Sequence, residues 1–402
     1  MQKIKLGILK ELKNPPDKRV PFSPLQCSEL VRDFPLEIVI QRSDMRCYSD
    51  AEYSSFGLPL VDDTSNCDVL MCIKEVPAEQ LMPNKKYLFF SHTIKKQAHN
   101  KKLLQAALAK KITLIDYECL TDKSHNRVIG FGRYAGIIGA YNGVLGYGKR
   151  YNLFHMKPAN QCRDRSELET ELARVRLPNI KILLTGGGRV ANGVIEALGI
   201  LKIRKVTPYE FLHCSYREPV YCQLHSKDYY QAKDGSSWNL KDFYSNPQNY
   251  VSTFLPYTKS CDLLITAHFW DGKAPQLFTK DQMKLPDFHI SEVADITCDL
   301  NGSIPSTLKA SSIIEPFYGY NPLTEQIDIP FSKNAVTIMA VDNLPCELPR
   351  EASEDFGKEF IERVAGYLFG QDTEGMIERA TITKDGKLNS PFEYLRDYAE
   401  GK

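Results

Sequence analysis

The sequence predicts an α/β protein built from two successive strand–helix units, and three observations predict it. Short apolar, β-like runs alternate with helical stretches through the first third of the chain. A strand, a glycine turn, a helix and a second strand follow one another between residues 180 and 207. The composition, 43% hydrophobic and 25% charged over 402 residues, is that of an ordinary globular chain. Strand–helix alternation argues for parallel sheets covered by helices.

Taken in order, residues 4–9 read as the opening strand. Ser23 is an N-cap followed by Pro24 at the first helical position, and that helix runs to Asp33. A second strand falls at 37–40, and Ser49 caps a short helix reaching Phe56. Residues 68–73 (DVLMCI) and 87–90 read as buried strands, 93–110 as one helix and 113–116 as a further strand. Gly132, Gly136, Gly139, Gly143 and Gly146 then follow at spacings of 4, 3, 4 and 3, which is helical period. Each interior glycine costs about 1 kcal/mol against alanine. The stripe is therefore either a helix with another backbone packed closely on it or an irregular glycine-rich loop. Residues 151–179 form a polar excursion. Residues 180–185 (IKILLT) are a strand, followed by a helix to about 200 and a strand at 205–207. The Tyr- and His-rich segment 208–260 reads as an insertion. Strands at 263–266 and 291–296 and an amphipathic helix over 351–369 complete the reading.

Lys plus Arg is 51 and Asp plus Glu is 50, a net charge of +1, which gives no electrostatic footprint for nucleic acid or an anionic membrane. Eleven cysteines with no C-x-x-C pair point to a reduced, cytoplasmic compartment. The opening segment 1–16 lacks the pattern of a secretory leader, and no run approaches the roughly 18 apolar residues of a membrane span.

The strongest motif is Gly186-x-Gly188-x-x-Ala191 after an apolar strand. The first glycine permits the tight turn, the second lets a pyrophosphate approach the backbone, and the small third residue lets the helix pack on the sheet. This is a dinucleotide fingerprint. Thr207 stands where an acid would hold the ribose hydroxyls; Glu210 is three residues on and no Arg is adjacent, so NAD and NADP stay open. In the first unit Arg19, Lys74 and His92 follow apparent strands and would line one sheet edge. Arg suits a carboxylate through its planar fork, and Lys and His suit proton exchange. The plainer reading makes each a solvated strand-end residue.

Several blocks carry a resemblance: KYLFFSHTIKKQ, LIDYE, NRVIGFGRYAGIIG and VDNLPCELPREASE, with DKRVPFSP and CIKEVPAEQL. The chain resembles the lysine-forming saccharopine dehydrogenases, above all the lysine–ketoglutarate reductase half of the bifunctional lysine-degrading enzyme. DKRVPFSP and CIKEVPAEQL are also similar to alanine dehydrogenase. The resemblance implies two Rossmann-like doubly wound domains with an active-site cleft between them. Residues 1–134 plus 346–402 would be the substrate domain and 135–345 the dinucleotide domain. It implies NAD or NADP as cofactor and lysine, 2-oxoglutarate and saccharopine as substrates. It implies Lys74 and His92 as acid/base groups and Arg19, Lys95, Arg127 and Phe131 as substrate ligands. Besides Gly186, Gly188 and Ala191, nucleotide contacts would fall on Arg189, Val190, Thr207, Asp295, Ile296, Thr297, Val341, Asp342, Asn343 and Leu344. Thr207 departs from the Asp of the NAD-using fungal enzymes. Two other readings stand beside this one: an alanine- or opine-type dehydrogenase, and a non-catalytic dinucleotide-binding or transhydrogenase-like subunit.

Overall fold

Successive residues of the strands at 69–74 and 86–90 sort into different cores. Met71, Ile73, Leu88 and Phe90 pack in one cluster, and Leu70, Cys72, Tyr87 and Phe89 in another. A strand whose two faces are both apolar must be covered on both sides. In the computed structural model this gives an α/β chain with two sheets, each mainly parallel and each carrying antiparallel strands at one edge. The structure describes residues 3–12 and 17–402, so part of the opening segment read above for a leader lies outside the described residues. The chain divides into two units, Met1–Phe131 with Pro349–Lys402, and Gly132–Leu348.

The first unit contains β1 (Ile4–Ile8), β2 (Leu36–Gln41), β3 (Leu60–Val61), β4 (Val69–Lys74), β5 (Lys86–Phe90) and β6 (Thr113–Asp116). They run parallel in the order β6-β5-β4-β1-β2-β3, so their carboxyl ends share one edge. Thr381–Lys384 adds antiparallel to the outer side of β6. The helix Pro24–Asp33 starts on a full capping box between Ser23 and Gln26, with Pro24 in its first turn. The 93–110 segment is not one helix. His92 and Lys96 adopt positive φ of 54° and 53°, which an α-helix cannot contain, so two 3-10 turns precede the helix Lys101–Ala109.

The second unit contains β7 (Lys181–Thr185), β8 (Arg204–Val206), β9 (Val220–Leu224), β10 (Tyr230–Ala232), β11 (Tyr250–Ser252), β12 (Leu263–Thr266), β13 (Glu292–Asp295), β14 (Phe317–Asn321), β15 (Gln326–Asp328) and β16 (Val336–Met339). The sheet order is β15-β14-β16-β13-β12-β7-β9-β8, while β10 and β11 form a separate antiparallel pair. Two readings of the sequence are corrected here. Residues 208–260 are not merely an insertion, because they supply β9, an interior strand hydrogen-bonded to β7 and to the edge strand β8. The polar excursion 151–179 contains the helix Arg165–Arg174.

The glycine stripe is helical, within Gly132–Tyr151. A Cβ on Gly136 would lie 2.0 Å from the Val190 carbonyl oxygen, and one on Gly193 would lie 2.0 Å from the Arg133 carbonyl oxygen. The missing side chains let this helix and the helix Arg189–Ile200 touch backbone to backbone. Among the described residues no helix is long and apolar enough to cross a membrane.

Candidate active site

In the first unit the predicted polar residues fall at the carboxyl edge of the parallel strands, where α/β sheets bind ligands. Lys74 is the last residue of β4, and His92 lies two residues past β5. The backbone N–H of Lys74 donates to Glu11 Oε2 at 2.9 Å and that of Ile73 to Glu11 Oε1 at 2.6 Å. Burial, then the nearby Asp17, push the Glu11 carboxyl up to about 8.

His92 sits on a left-handed backbone with its ring stacked beside Phe90. Its Nδ1 lies 3.1 Å from Glu118 Oε2. Glu118 Oε1 also meets Lys95 Nζ at 3.2 Å and Arg127 Nη1 at 3.6 Å. Burial alone would raise Glu118, but the His92 hydrogen bond and the Lys95 and Arg127 charges outweigh it and hold the carboxyl at about 2. One ionised carboxylate thus serves an imidazole and two cations. Asp116, fully buried at the end of β6, sets both flanks of the pair. It accepts from the Ser91 backbone N–H at 3.0 Å and the Glu118 backbone N–H at 2.8 Å.

Arg19 differs from the sequence picture of an open carboxylate clamp. It is 3% exposed and grips Asp17 with Nε at 3.0 Å and Nη2 at 2.6 Å. Its guanidinium lies 4.1 Å above the Phe131 ring, which stacks in turn on Phe356 at 4.7 Å.

In the second unit the turn after β7 has the geometry its sequence implies. Gly186 has φ +98°, and a Cβ there would strike the Ala267 carbonyl oxygen at 2.4 Å. Gly188, by contrast, has an ordinary φ of −89°, and a Cβ there would meet nothing within 4 Å. Neither backbone strain nor protein packing requires a glycine at 188; its bareness leaves open space above the N-terminus of Arg189–Ile200, which no side chain caps. That is the cradle a pyrophosphate needs, so the residues present fit a dinucleotide. Gly186, Gly188, Arg189 and Val190 line a cavity of about 890 Å³. Ala191 is fully buried.

The other nucleotide positions separate. Ile296 and Thr297 follow β13, and Val341, Asp342, Asn343 and Leu344 lie beyond β16, at the same edge of the sheet. Asp295 is fully buried, accepting from the hydroxyls of Thr266 at 2.6 Å and of Thr297 and Thr307 at 2.5 Å, so its carboxylate ties strand ends rather than facing a ligand. Thr207 is corrected by the sheet order. It caps the short helix Pro208–His213 beyond β8, one strand further out than the sequence spacing suggests. The strand beside the glycine turn is β9: Gly186 N–H donates to the Leu224 carbonyl at 2.8 Å, and the next residues are His225, Ser226 and Lys227.

Residues 7–138 match the family model described as alanine dehydrogenase/PNT, N-terminal domain. This segment is similar to alanine dehydrogenase/PNT N-terminal domains. Beyond that domain the whole chain is homologous to enzymes of related names. It is 29% identical to the α-aminoadipic semialdehyde synthase of Arabidopsis thaliana, covering 97% of this chain and 41% of the relative. It is 23% identical to a saccharopine dehydrogenase [NAD(+), L-lysine-forming] of Emericella nidulans, covering 86% of this chain and 87% of that one. The chain spans about half the length, or less, of the semialdehyde synthases it matches. Among solved structures an L-alanine dehydrogenase superposes with a TM-score of 0.65 at 17% identity over 98% of this chain and 100% of that one, which shows a shared Rossmann-like fold.

The first unit contains two residues that sequence reasoning passed over. Glu118, the hub of the His92 cluster, lies in the quoted LIDYE block, and a carboxylate two residues past a strand end was the available signal. Asp17 stands two residues before Arg19, too close in sequence to suggest that it fills the Arg19 fork.

Proposed function

We propose that the chain is an NAD(P)-dependent saccharopine dehydrogenase of the lysine-forming type, that is, a lysine–ketoglutarate reductase. In the proposed reaction saccharopine, oxidised dinucleotide and water give lysine, 2-oxoglutarate, reduced dinucleotide and a proton, and the reverse. The observation that carries this reading is the Glu118 cluster, with His92, Lys95 and Arg127 sharing one carboxylate. The homologues named saccharopine dehydrogenase and α-aminoadipic semialdehyde synthase support it.

The dinucleotide, when bound at the glycine turn, supplies or accepts the hydride. The remaining work falls to side chains. Ionised Glu118 accepts from His92 Nδ1–H, so His92 Nε2 is the nitrogen left to exchange a proton. Lys74, held by its backbone on Glu11, is the second proton-exchange group. Between them they take a proton from the lysine ε-ammonium and return one to the hydroxyl that leaves as water during imine formation. Lys95 and Arg127 are 49% and 40% exposed in their side chains beside Glu118, which places both cations where a substrate dicarboxylate can meet them. Arg19 joins them only where a substrate carboxylate competes with Asp17, and Phe131 fixes the plane of its guanidinium.

Either nucleotide fits the end of β9. His225-Ser226-Lys227 offers a cation there, and the nearby Asp228 is engaged in accepting from the His225 backbone N–H at 2.7 Å. On this reading Lys227→Glu raises KM for NADPH more than for NADH. A reducing, cytoplasm-like compartment fits the eleven unbonded cysteines.

The deciding assay follows NAD(P)H oxidation with lysine plus 2-oxoglutarate and, separately, with ammonia plus pyruvate. Turnover with the first pair is expected. Turnover with the second alone makes the chain an alanine-type dehydrogenase. Tight nucleotide binding without turnover of either makes it a non-catalytic subunit.

A further inference from the structure

The turn that carries His92 and Lys95 begins and ends on left-handed backbone, at His92 and at Lys96. Residues other than glycine hold that conformation only where their surroundings fix them. The first end is fixed from within the site. The Ser91 backbone N–H and hydroxyl both donate to Asp116 Oδ2, Thr93 Oγ1 lies 2.8 Å from the same hydroxyl, and His92 meets Glu118. The second end is different. Residues 95–99 are all exposed, so burial does not hold this stretch. It is held instead by a segment from the far end of the chain.

That segment is the 3-10 turn Ser390–Leu395 and the helix Arg396–Glu400. The Tyr398 hydroxyl donates to the Gln97 carbonyl at 2.5 Å, and Lys101 Nζ lies 5.7 Å from the centroid of its ring. Lys96 Nζ lies 5.3 Å from the centroid of the Tyr394 ring. Gln105 Nε2 donates to the Ala399 carbonyl at 2.7 Å, which ties the segment to the helix Lys101–Ala109 as well. Under these polar contacts Phe392, Leu395, Tyr398 and Ala399 are buried in one cluster with Leu103 and Leu104, and Ile94 packs against that cluster from inside the turn. The Tyr398 ring is thus anchored in a core, and its hydroxyl reaches out to a backbone carbonyl two residues past Lys95. An anchored phenol has few torsions to lose, so it makes a stiff strut.

We propose that Tyr398 is a positioning residue for Lys95: by holding the Gln97 carbonyl it fixes the exit of the turn, and with it the place from which Lys95 reaches Glu118 and a substrate carboxylate. A lysine stem has many rotamers, so where its backbone starts decides how often its ammonium is in place. His92, pinned at the other end by Glu118 and next in sequence to Ser91, does not depend on this strut. The inference rests on the reading of Lys95 as a substrate ligand and deepens it, by naming what holds that cation where it is needed.

The test compares the full wild-type chain with Tyr398→Phe, which keeps the buried ring and loses only the hydroxyl. Hydrogen exchange is followed by mass spectrometry over residues 93–98 and, for reference, over Lys101–Ala109. Losing one net hydrogen bond changes an opening equilibrium about five- to tenfold, so exchange over 93–98 is expected to quicken by that factor while the helix is unchanged. Tyr394→Ala removes an exposed ring and is expected to quicken it about two- to fivefold. In the assay with lysine and 2-oxoglutarate, Tyr398→Phe is expected to raise KM for 2-oxoglutarate about fivefold and to leave kcat within about twofold. Made in a Lys95→Ala background, the same change is expected to add less than about twofold to KM, because the residue it acts through is gone. Exchange over 93–98 within about twofold of wild type in Tyr398→Phe overturns the proposal. So does a KM effect that persists in full without Lys95, which makes Tyr398 a structural residue and nothing more. A wild type that turns over neither lysine nor 2-oxoglutarate overturns the function reading instead, and the exchange comparison still decides whether Tyr398 holds the turn.

Discussion

His92 owes its orientation to a single carboxylate, and that dependence makes the Glu118 cluster open to measurement. General acid–base groups contribute about 10²–10⁴-fold to rate. Lys74→Met and His92→Gln are each expected to lower kcat for saccharopine formation by that range. Dinucleotide affinity should hold, because both residues lie in the unit that lacks the glycine turn. Loss of less than about threefold in both would make them solvated strand-end residues. Glu118 gives a second, thermodynamic prediction. Its pKa is lowered from 4.5 to about 2 in the folded chain, so it favours folding above pH 4.5 and loses that contribution as the pH falls toward 2. Urea unfolding of wild type and Glu118→Gln should therefore differ at neutral pH, with wild type the more stable. The gap should close between pH 4.5 and 2, and a gap constant across that window would mean that Glu118 is not paired as described.

At the scale of elements, the two glycine-bearing helices of the second unit supply an internal comparison. Gly193 and Gly199 lie in the same helix, Arg189–Ile200. A Cβ at 193 meets the Arg133 backbone at 2.0 Å, while one at 199 meets nothing within 4 Å. Gly193→Ala should cost about 1–3 kcal/mol or more by forcing the helices apart. Gly199→Ala should add about 0.5–1 kcal/mol by the ordinary propensity difference. Equal effects in thermal unfolding would remove the close-packing account of the stripe. The same helices mark what the sequence made legible. Local chemistry was readable: the Ser23 N-cap, the Thr113–Asp116 strand and the period of the glycines each depend on neighbours a few residues apart. The neighbour of β7 was not readable. Which strand pairs with it is settled by contacts between residues far apart in sequence, and β9 displaces β8 from that place without any local signal. The misplacement of Thr207 follows directly from that. In the site, strand ends pointed to Lys74 and His92 and offered the same signal for Glu118, whereas Asp17 required knowing which side chains meet.

For the whole molecule, the two units differ in how the chain builds them. Gly132–Leu348 is continuous and holds the complete sheet from β15 to β8. Expressed alone, it is expected to unfold cooperatively and to bind ADP-ribose within about threefold of the full chain. A molten 132–348 fragment in circular dichroism and calorimetry would show that its sheet depends on the other unit. The first unit has no such independence from its C-terminal segment. Phe356 and Phe360 are fully buried in its core, and Thr381–Lys384 covers the edge of β6.

That discontinuity has a consequence in time. A ribosome adding about 5–20 residues per second needs about 10–40 s to make the stretch 132–348. Throughout that interval the nascent chain already carries β6 with its hydrogen-bonding groups exposed along one edge, because the strand that pairs with it is still unmade. An open edge of that kind recruits other strands. Other nascent chains on the same message are the nearest source, so pairing along this edge is a hazard of synthesis that ends once residues 381–384 are made.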